Sequence, residues 1–335
     1  MRVLSRLEVT NPLPTAFCHG ATLLPVGDRL LAAWFGGTRE GEPDASVYLA
    51  RLEPQRGVWS APELVAPADG QPCGNPVLFE GHAGVLWLVY FRVDGRWCVD
   101  GRPHARVSFD GGHTWSPEVR LLDRPGVLTK NKPIRVGEEL LLPVYDERAW
   151  TVGVARLRGP EHHMDWEFDE LTVGAGTGVP MIQGTLVEVG SGELLMLMRT
   201  KEGRIWGCRS RDAGRTWSDP APTSLPNPNA GVDAVRLPDG RLWLVYNHTD
   251  RGRDPMVWEW RYPLSLAESR DGGATWTRVW DLEAGPGEYS YPAVVVDSQG
   301  RVHVAYTALR QAIRHVVLDP EGKPGQPILG GKGPM

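Results

Sequence analysis

The sequence predicts an all-β chain, a six-bladed β-propeller of four-stranded antiparallel blades closed by its own N-terminal strand. Three observations predict it. Six segments, residues 19–36, 75–91, 131–145, 183–198, 231–246 and 290–306, share one pattern: an apolar strand, a Gly or acidic turn, then a strongly apolar strand. They recur roughly every 50 to 60 residues, the period of a propeller blade with loop insertions. Three of the intervening stretches carry Ser-x-Asp-x-Gly-x-Thr-Trp, beginning at Ser108, Ser210 and Ser269. Finally, only one strand, residues 313–318, follows the sixth unit. The sixth blade therefore lacks an outer strand, which residues 3–9 can supply, leaving the ring no open edge.

Each element has a local reason. The second strand of every unit is nearly all apolar, as in Leu30-Leu-Ala-Ala-Trp-Phe35 and Val85-Leu-Trp-Leu-Val-Tyr90. A strand covered on both faces reads that way. In the eight-residue motif, the Asp-box, Ser and Asp side chains accept bonds from turn N–H groups and Gly supplies positive φ. The closing Trp buries a large ring between sheets. Degraded copies survive around Trp59 and Trp166. With 40 Gly, 29 Pro and 14 Trp, the chain suits many short strands and tight turns. The expected organisation is one propeller over residues 1–320 and a Gly/Pro-rich tail over 321–335.

Composition narrows the function classes. The formal net charge of −5 has no basic excess, so nucleic acid is not an expected partner. No apolar run reaches the length of a membrane span, so no membrane is expected either. The first residues have no signal-peptide core, which points to the cytoplasm. Cys18, Cys73, Cys98 and Cys208 lack metal-ligand spacing and read as free, buried thiols. His162 and His163 read as an exposed loop pair, and neither a metal nor a cofactor is expected.

Inner strands converge on the propeller axis, so polar residues at their ends are candidates for one shared site. They run from His19 through Arg39, Asp44, Asn75, Lys132, Gln183, Arg199, Asp233, His248, Arg261 and Tyr289 to Arg310.

At these positions the chain resembles the sialidase (neuraminidase) superfamily, over residues 15 to 320. Sialidases open with an Arg-Ile-Pro strand whose Arg is the first of three that clamp the substrate carboxylate. Here that strand is His19-Gly20-Ala21. The resemblance places Arg39 and Asp44 of Phe35-Gly-Gly-Thr-Arg-Glu-Gly-Glu-Pro-Asp44 as the Arg and the acid/base that follow. Asp44 capping a turn is the plain alternative. Gln183 falls where sialidases carry a Glu, and Arg199 where they carry the second clamp Arg. Arg261 best matches the third, with Arg251 and Arg253 as competitors. Tyr289 takes the nucleophile's place, its following Ser fitting the family pattern, and Tyr291 is the alternative. Asn75, Lys132 and His248 are added as substrate-binding candidates, Lys132 for the positive charge it brings.

The resemblance implies retaining hydrolysis with a Tyr nucleophile, an exception to the two-carboxylate scheme. A phenol needs a base nearby, and Gln183 cannot take its proton, so either Glu288 or another acid substitutes or the Tyr does not act this way. His19 offers one donor at a time where Arg offers a planar fork. Three readings follow: an exo-acting glycosidase of sialidase type on a terminal acidic sugar, with sialic acid foremost; a uronate-directed glycosidase or lyase using His19 or His248; and a propeller that binds glycan without turnover. An acidic glycan or small sugar is the expected partner in each.

Overall fold

A computed structural model describes residues 1–53, 57–158, 165–250 and 261–322. His162, His163, Arg251, Arg253 and most of the 321–335 tail lie outside the described residues. Six antiparallel sheets form the six blades of the propeller. Blade 1 runs outward from Phe17–Val26 through Arg29–Gly37 and Ser46–Glu53 to Val58–Trp59, with Glu63–Ala66 also paired to its third strand. Blade 2 comprises Cys73–Glu80, Leu86–Val93, Gly101–Ser108 and Val119–Arg120. Blade 4 comprises Met181–Gly190, Glu193–Thr200, Arg204–Ser210 and Ala221–Pro226. Blade 5 comprises Asp233–Arg236, Leu242–Asn247, Leu264–Ser269 and Thr277–Glu283.

Blade 6 closes the ring. Its strands Tyr289–Val296, Val302–Ala308 and Ala312–Asp319 are completed by Arg2–Glu8, which pairs antiparallel with Ala312–Asp319. Blade 3 departs from the expected pattern. Its inner strand is split into Val127–Thr129 and Ile134–Val136, both paired to Glu139–Asp146, ahead of Thr151–Arg158 and Trp166–Phe168. Pro133 has no N–H to give a ladder, and the intervening Lys130, Asn131 and Lys132 turn their side chains to other strands.

The second strands are buried along almost their whole length. Trp34, Trp87, Trp243, Tyr90, Tyr145, Tyr246 and Tyr306 are among the largest fully buried side chains. Burying each such ring contributes roughly 2–3 kcal/mol.

The three Ser-x-Asp-x-Gly-x-Thr-Trp turns are built alike. Ser210 Oγ donates to Asp212 at 2.8 Å and accepts from Gly214 N–H at 2.8 Å. Thr216 donates to Asp212 at 2.6 Å. The bond from that Thr hydroxyl, and its counterpart from Thr275, hold the Asp212 and Asp271 carboxyls down to about 2. Each turn is also gripped by an Arg from the third strand of the preceding blade. Arg156 donates to Gly214 O at 2.7 Å and Arg209 to Gly272 O at 2.6 Å, and Arg51 reaches Gly112 O. The motif therefore joins blades as well as turning chains.

Nearer the axis, one carboxylate ties four blades together. Asp233, only 2% exposed, opens the inner strand of blade 5. It accepts from Lys132 Nζ of blade 3 at 2.8 Å, Thr185 Oγ1 of blade 4 at 2.8 Å and Val294 N–H of blade 6 at 2.8 Å. Removing it strands the Lys132 charge and two donors. Asp233→Ala should lower unfolding stability by about 3–5 kcal/mol, read from urea denaturation. A loss below about 1 kcal/mol, within the range of an exposed ion pair, would show that the hub is not structural.

Candidate functional site

Four inner strands carry the same irregularity. The register of pairing shifts at His19/Thr22, Gly74/Val77, Ile182/Thr185 and Ser290/Ala293. Within these bulges Gly20, Asn75, Gln183 and Tyr291 have φ of 65°, 43°, 55° and 52°. Bulges re-aim side chains, and a bulky residue at positive φ is a genuine outlier that points toward function. At Gly20 nothing larger fits, because a Cβ would stand 2.8 Å from the Phe35 ring.

The bulges gather one hydrogen-bonded cluster. Arg199, 7% exposed, donates through Nη1 to Tyr291 Oη at 2.7 Å and to Gln183 Oε1 at 3.0 Å. Its Nε donates to Asn229 Oδ1 at 2.8 Å. Gln183 Nε2 reaches Tyr145 Oη at 3.4 Å and Tyr291 Oη at 3.5 Å, and Asn75 donates to Tyr145 Oη at 3.3 Å. The His19 ring lies 4.2 Å from that of Tyr291. His19 Nδ1 shares a hydrogen bond with Thr307 Oγ1 at 2.9 Å, and Nε2 is buried with no partner among the described residues. Burial, reinforced by Arg310, Arg261, Lys130 and Arg199, holds this imidazole well below its ordinary 6.5.

The cluster is cationic. The charged groups of Arg261, Lys130 and Arg199 lie 5.5, 5.7 and 5.8 Å from the centre of the Tyr291 ring. Arg261 is ion-paired to Glu288 at 3.1 Å. Lys130, 3% exposed, donates to Pro292 O at 3.1 Å and Asn131 Oδ1 at 3.2 Å. Burial pulls its ammonium down to about 8. Among the described residues neither Arg199 nor Lys130 has a carboxylate partner. Glu147 is the nearby acid, its carboxyl raised by burial against the pull of Arg199 and Lys201.

The structure therefore brings His19, Asn75, Gln183, Arg199 and Arg261 together and places the other candidates elsewhere. Arg39 is exposed in the loop between the second and third strands of blade 1 and paired to Glu42 at 2.5 Å. Asp44, also exposed, accepts from Thr38 N–H at 2.9 Å and Thr38 Oγ1 at 2.7 Å, pinning its loop. Lys132 is held by Asp233. His248 shares a hydrogen bond with Tyr246 Oη and has Arg278 and Asp281 as charged neighbours. The Tyr289 ring lies 5.9 Å from the Arg314 guanidinium. In a regular strand Tyr289 and Tyr291 would share a face; the bulge breaks that parity and gives the axis to Tyr291. Lys130, Tyr145, Asn229 and Glu147 are further members that the sequence did not single out, and Glu288, the substitute base that the sequence offered, is ion-paired with Arg261 at 3.1 Å and Arg310 at 2.6 Å. All four cysteines are free, and burial pushes the Cys18, Cys73 and Cys208 thiols up to about 12. No cluster of metal-ligating side chains occurs among the described residues.

The buried imidazole has a measurable consequence. The unfolded chain takes up a proton at His19 below about pH 6.5, whereas the fold does not, so stability is complete above that pH and falls below it. Relative to His19→Asn, the wild type should lose up to about 1.4 kcal/mol per pH unit below 6.5, measured by urea unfolding from pH 7.5 to 5. Parallel profiles would mean that His19 titrates normally in the fold.

Comparison with known proteins agrees with this architecture. The BNR repeat-like domain family matches residues 28–304. A xyloglucanase of Paenibacillus sp. is 26% identical over 239 residues, which make up 61% of this chain and 22% of that protein. The chain thus spans a minor part of that relative's length. Among solved structures, a Hadza microbial sialidase superposes with a TM-score of 0.72 at 16% identity, over 91% of this chain and 66% of that one. The NanB sialidase of Streptococcus pneumoniae gives 0.72 at 10% identity, over 96% and 70%. A Dyadobacter fermentans protein of unknown function gives 0.70 at 15% identity, over 94% and 98%. At these identities the likeness is one of fold, the sialidase-like propeller. With the family match spanning most of its length, the chain belongs to the BNR repeat-like domain family.

Proposed function

We propose that the axial cluster around Tyr291 forms a pocket that binds a sugar bearing a carboxylate and that the chain is a glycosidase of sialidase type, with Tyr291 as nucleophile. One observation carries this reading. Arg199 and Lys130 are buried, flank Tyr291, and have no carboxylate partner among the described residues. Of the described carboxylates, Lys130 feels only the more distant Asp233, which is already paired with Lys132, and Arg199 only Glu147. A buried cation without a carboxylate in contact is costly, and a ligand carboxylate would compensate both. Sialic acid is the leading candidate, in keeping with the sialidases that share the fold.

In this reaction Tyr291 Oη attacks the anomeric carbon while an acid protonates the departing oxygen, and water then releases the sugar. Asp44 is the acid by resemblance. Glu147 is the competitor, because burial keeps its carboxyl protonated closer to neutral pH. Gln183 cannot take the phenol proton, and the acceptor we assign is His19, whose ring lies 4.2 Å from that of Tyr291 and whose Nε2 is unpartnered among the described residues, made basic enough only once a ligand carboxylate offsets the surrounding cations.

Gln183 also favours a second reading. β-Elimination from a uronate needs a neutralised carboxylate and a base for the adjacent C–H. Arg199 and Lys130 would serve the first need, and His19 with Tyr291 the second.

The test is incubation with fluorogenic α-sialosides, α- and β-uronosides and uronic-acid oligosaccharides. Fluorophore release supports hydrolysis, whereas the ultraviolet absorbance of an unsaturated uronate supports elimination. Tyr291→Phe should lower kcat by about 10³-fold or more and Tyr289→Phe by less than tenfold. Arg199→Met should raise KM about 10- to 100-fold, the worth of a charged hydrogen bond. Turnover of none of these substrates across pH 4–8, with no carboxylated sugar binding by calorimetry, would refute the proposal.

A further inference from the structure

Arg310 sits where the last blade meets the first. It lies in the tight turn between Val302–Ala308 and Ala312–Asp319, closed by a bond from Gln311 N–H to Ala308 O at 3.0 Å. Leu309 and Arg310 have φ of 54° and 55°. Two consecutive left-handed residues are the geometry for which hairpins choose Asn-Gly, and Leu and Arg are both strained in it. Leu309 is 47% exposed, so core packing does not explain its choice.

What the turn achieves is a junction. Leu309 N–H donates to Glu288 O at 2.7 Å, and Cys18 N–H, on the inner strand of blade 1, donates to Arg310 O at 2.9 Å. Arg310 Nε donates to Glu288 Oε2 at 2.6 Å, and its Nη1 is paired with Glu40. Glu288 presents its other oxygen to Arg261 at 3.1 Å and Ser290 Oγ at 3.0 Å. An unbroken ion chain, Arg261–Glu288–Arg310–Glu40, thus crosses blades 5, 6 and 1. Glu40 lies in the loop that Asp44 pins through Thr38. A rigid guanidinium fork can hold two carboxylates in fixed directions, which an ammonium cannot do.

We propose that Arg310 is a positioning residue that latches the 38–44 loop to the axial pocket through Glu40 and orients Arg261 through Glu288. The closing seam of the ring and the geometry of the site are then one device. This inference rests on the axial pocket being the functional site, as proposed above.

The latch is tested without substrate, on the full chain, by hydrogen exchange of the peptide spanning residues 38–45. The amides of Thr38, Glu42 and Ala45 are hydrogen-bonded within this loop. Arg310→Gln and Glu40→Gln should each speed their exchange about tenfold, and the double variant should add nothing further. Unchanged exchange in Glu40→Gln, or additive effects in the double variant, would overturn the latch. Glu40→Gln keeps the test decisive if Arg310→Gln fails to fold. With a substrate in hand, Glu40→Gln should lower kcat with KM within about twofold, whereas Arg310→Gln should also raise KM by releasing Arg261. Should no sugar be turned over, the exchange result still stands, which separates failure of the latch from failure of the acidic-sugar reading.

Discussion

The buried carboxylate of Asp233 is the interaction on which the centre of this propeller depends. Inner strands of neighbouring blades share no backbone ladder, so their alignment at the axis needs side-chain cross-links. Asp233 accepts from Lys132, Thr185 and the Val294 amide, each in a different blade. At the rim, Arg156 and Arg209 do the corresponding work by gripping the turn of the next blade. The outer ring is closed by pairing of Arg2–Glu8 with Ala312–Asp319. Tied at axis, rim and seam, the sheets can support a strained centre.

That strain is concentrated where the inner strands begin. Asn75, Gln183 and Tyr291 all hold positive φ, which a non-glycine residue adopts at a cost of order 1–3 kcal/mol. Arg199 and Lys130 are buried charges answered by neutral oxygens. A fold selected only for stability would avoid both features. Their coincidence around one phenol is a local departure from consistency of the kind that marks functional sites.

The same cluster holds the two positions at which the sequence departs from the sialidase pattern it resembles. His19 stands where a clamp Arg is expected, and burial among cations keeps it neutral. Gln183 stands where a base is expected and serves as a hydrogen-bond relay between Arg199, Tyr291 and Tyr145. Positive charge around the Tyr291 ring comes from Arg199, Arg261 and Lys130, the last between the two halves of blade 3's inner strand.

The sequence by itself determined the six blades, the repeat turns, the closing strand and part of the axial set, namely His19, Asn75, Gln183, Arg199 and Arg261. These are legible because strand periodicity and turn chemistry are local, because a polar residue early in an inner strand falls near the axis, as His19, Asn75 and Gln183 do, and because the resemblance to sialidases pointed to Arg199 and Arg261. Tertiary structure alone decided which of Tyr289 and Tyr291 faces the axis, and that Lys130 joins the cluster while Lys132 is held by Asp233. It also decided that Arg39 pairs with Glu42 and that Arg310 joins the seam. In each case the outcome turned on a backbone irregularity or a long-range ion pair. A one-residue bulge reverses which side chain faces the axis, and a charge settles on whichever partner the closed ring brings within reach.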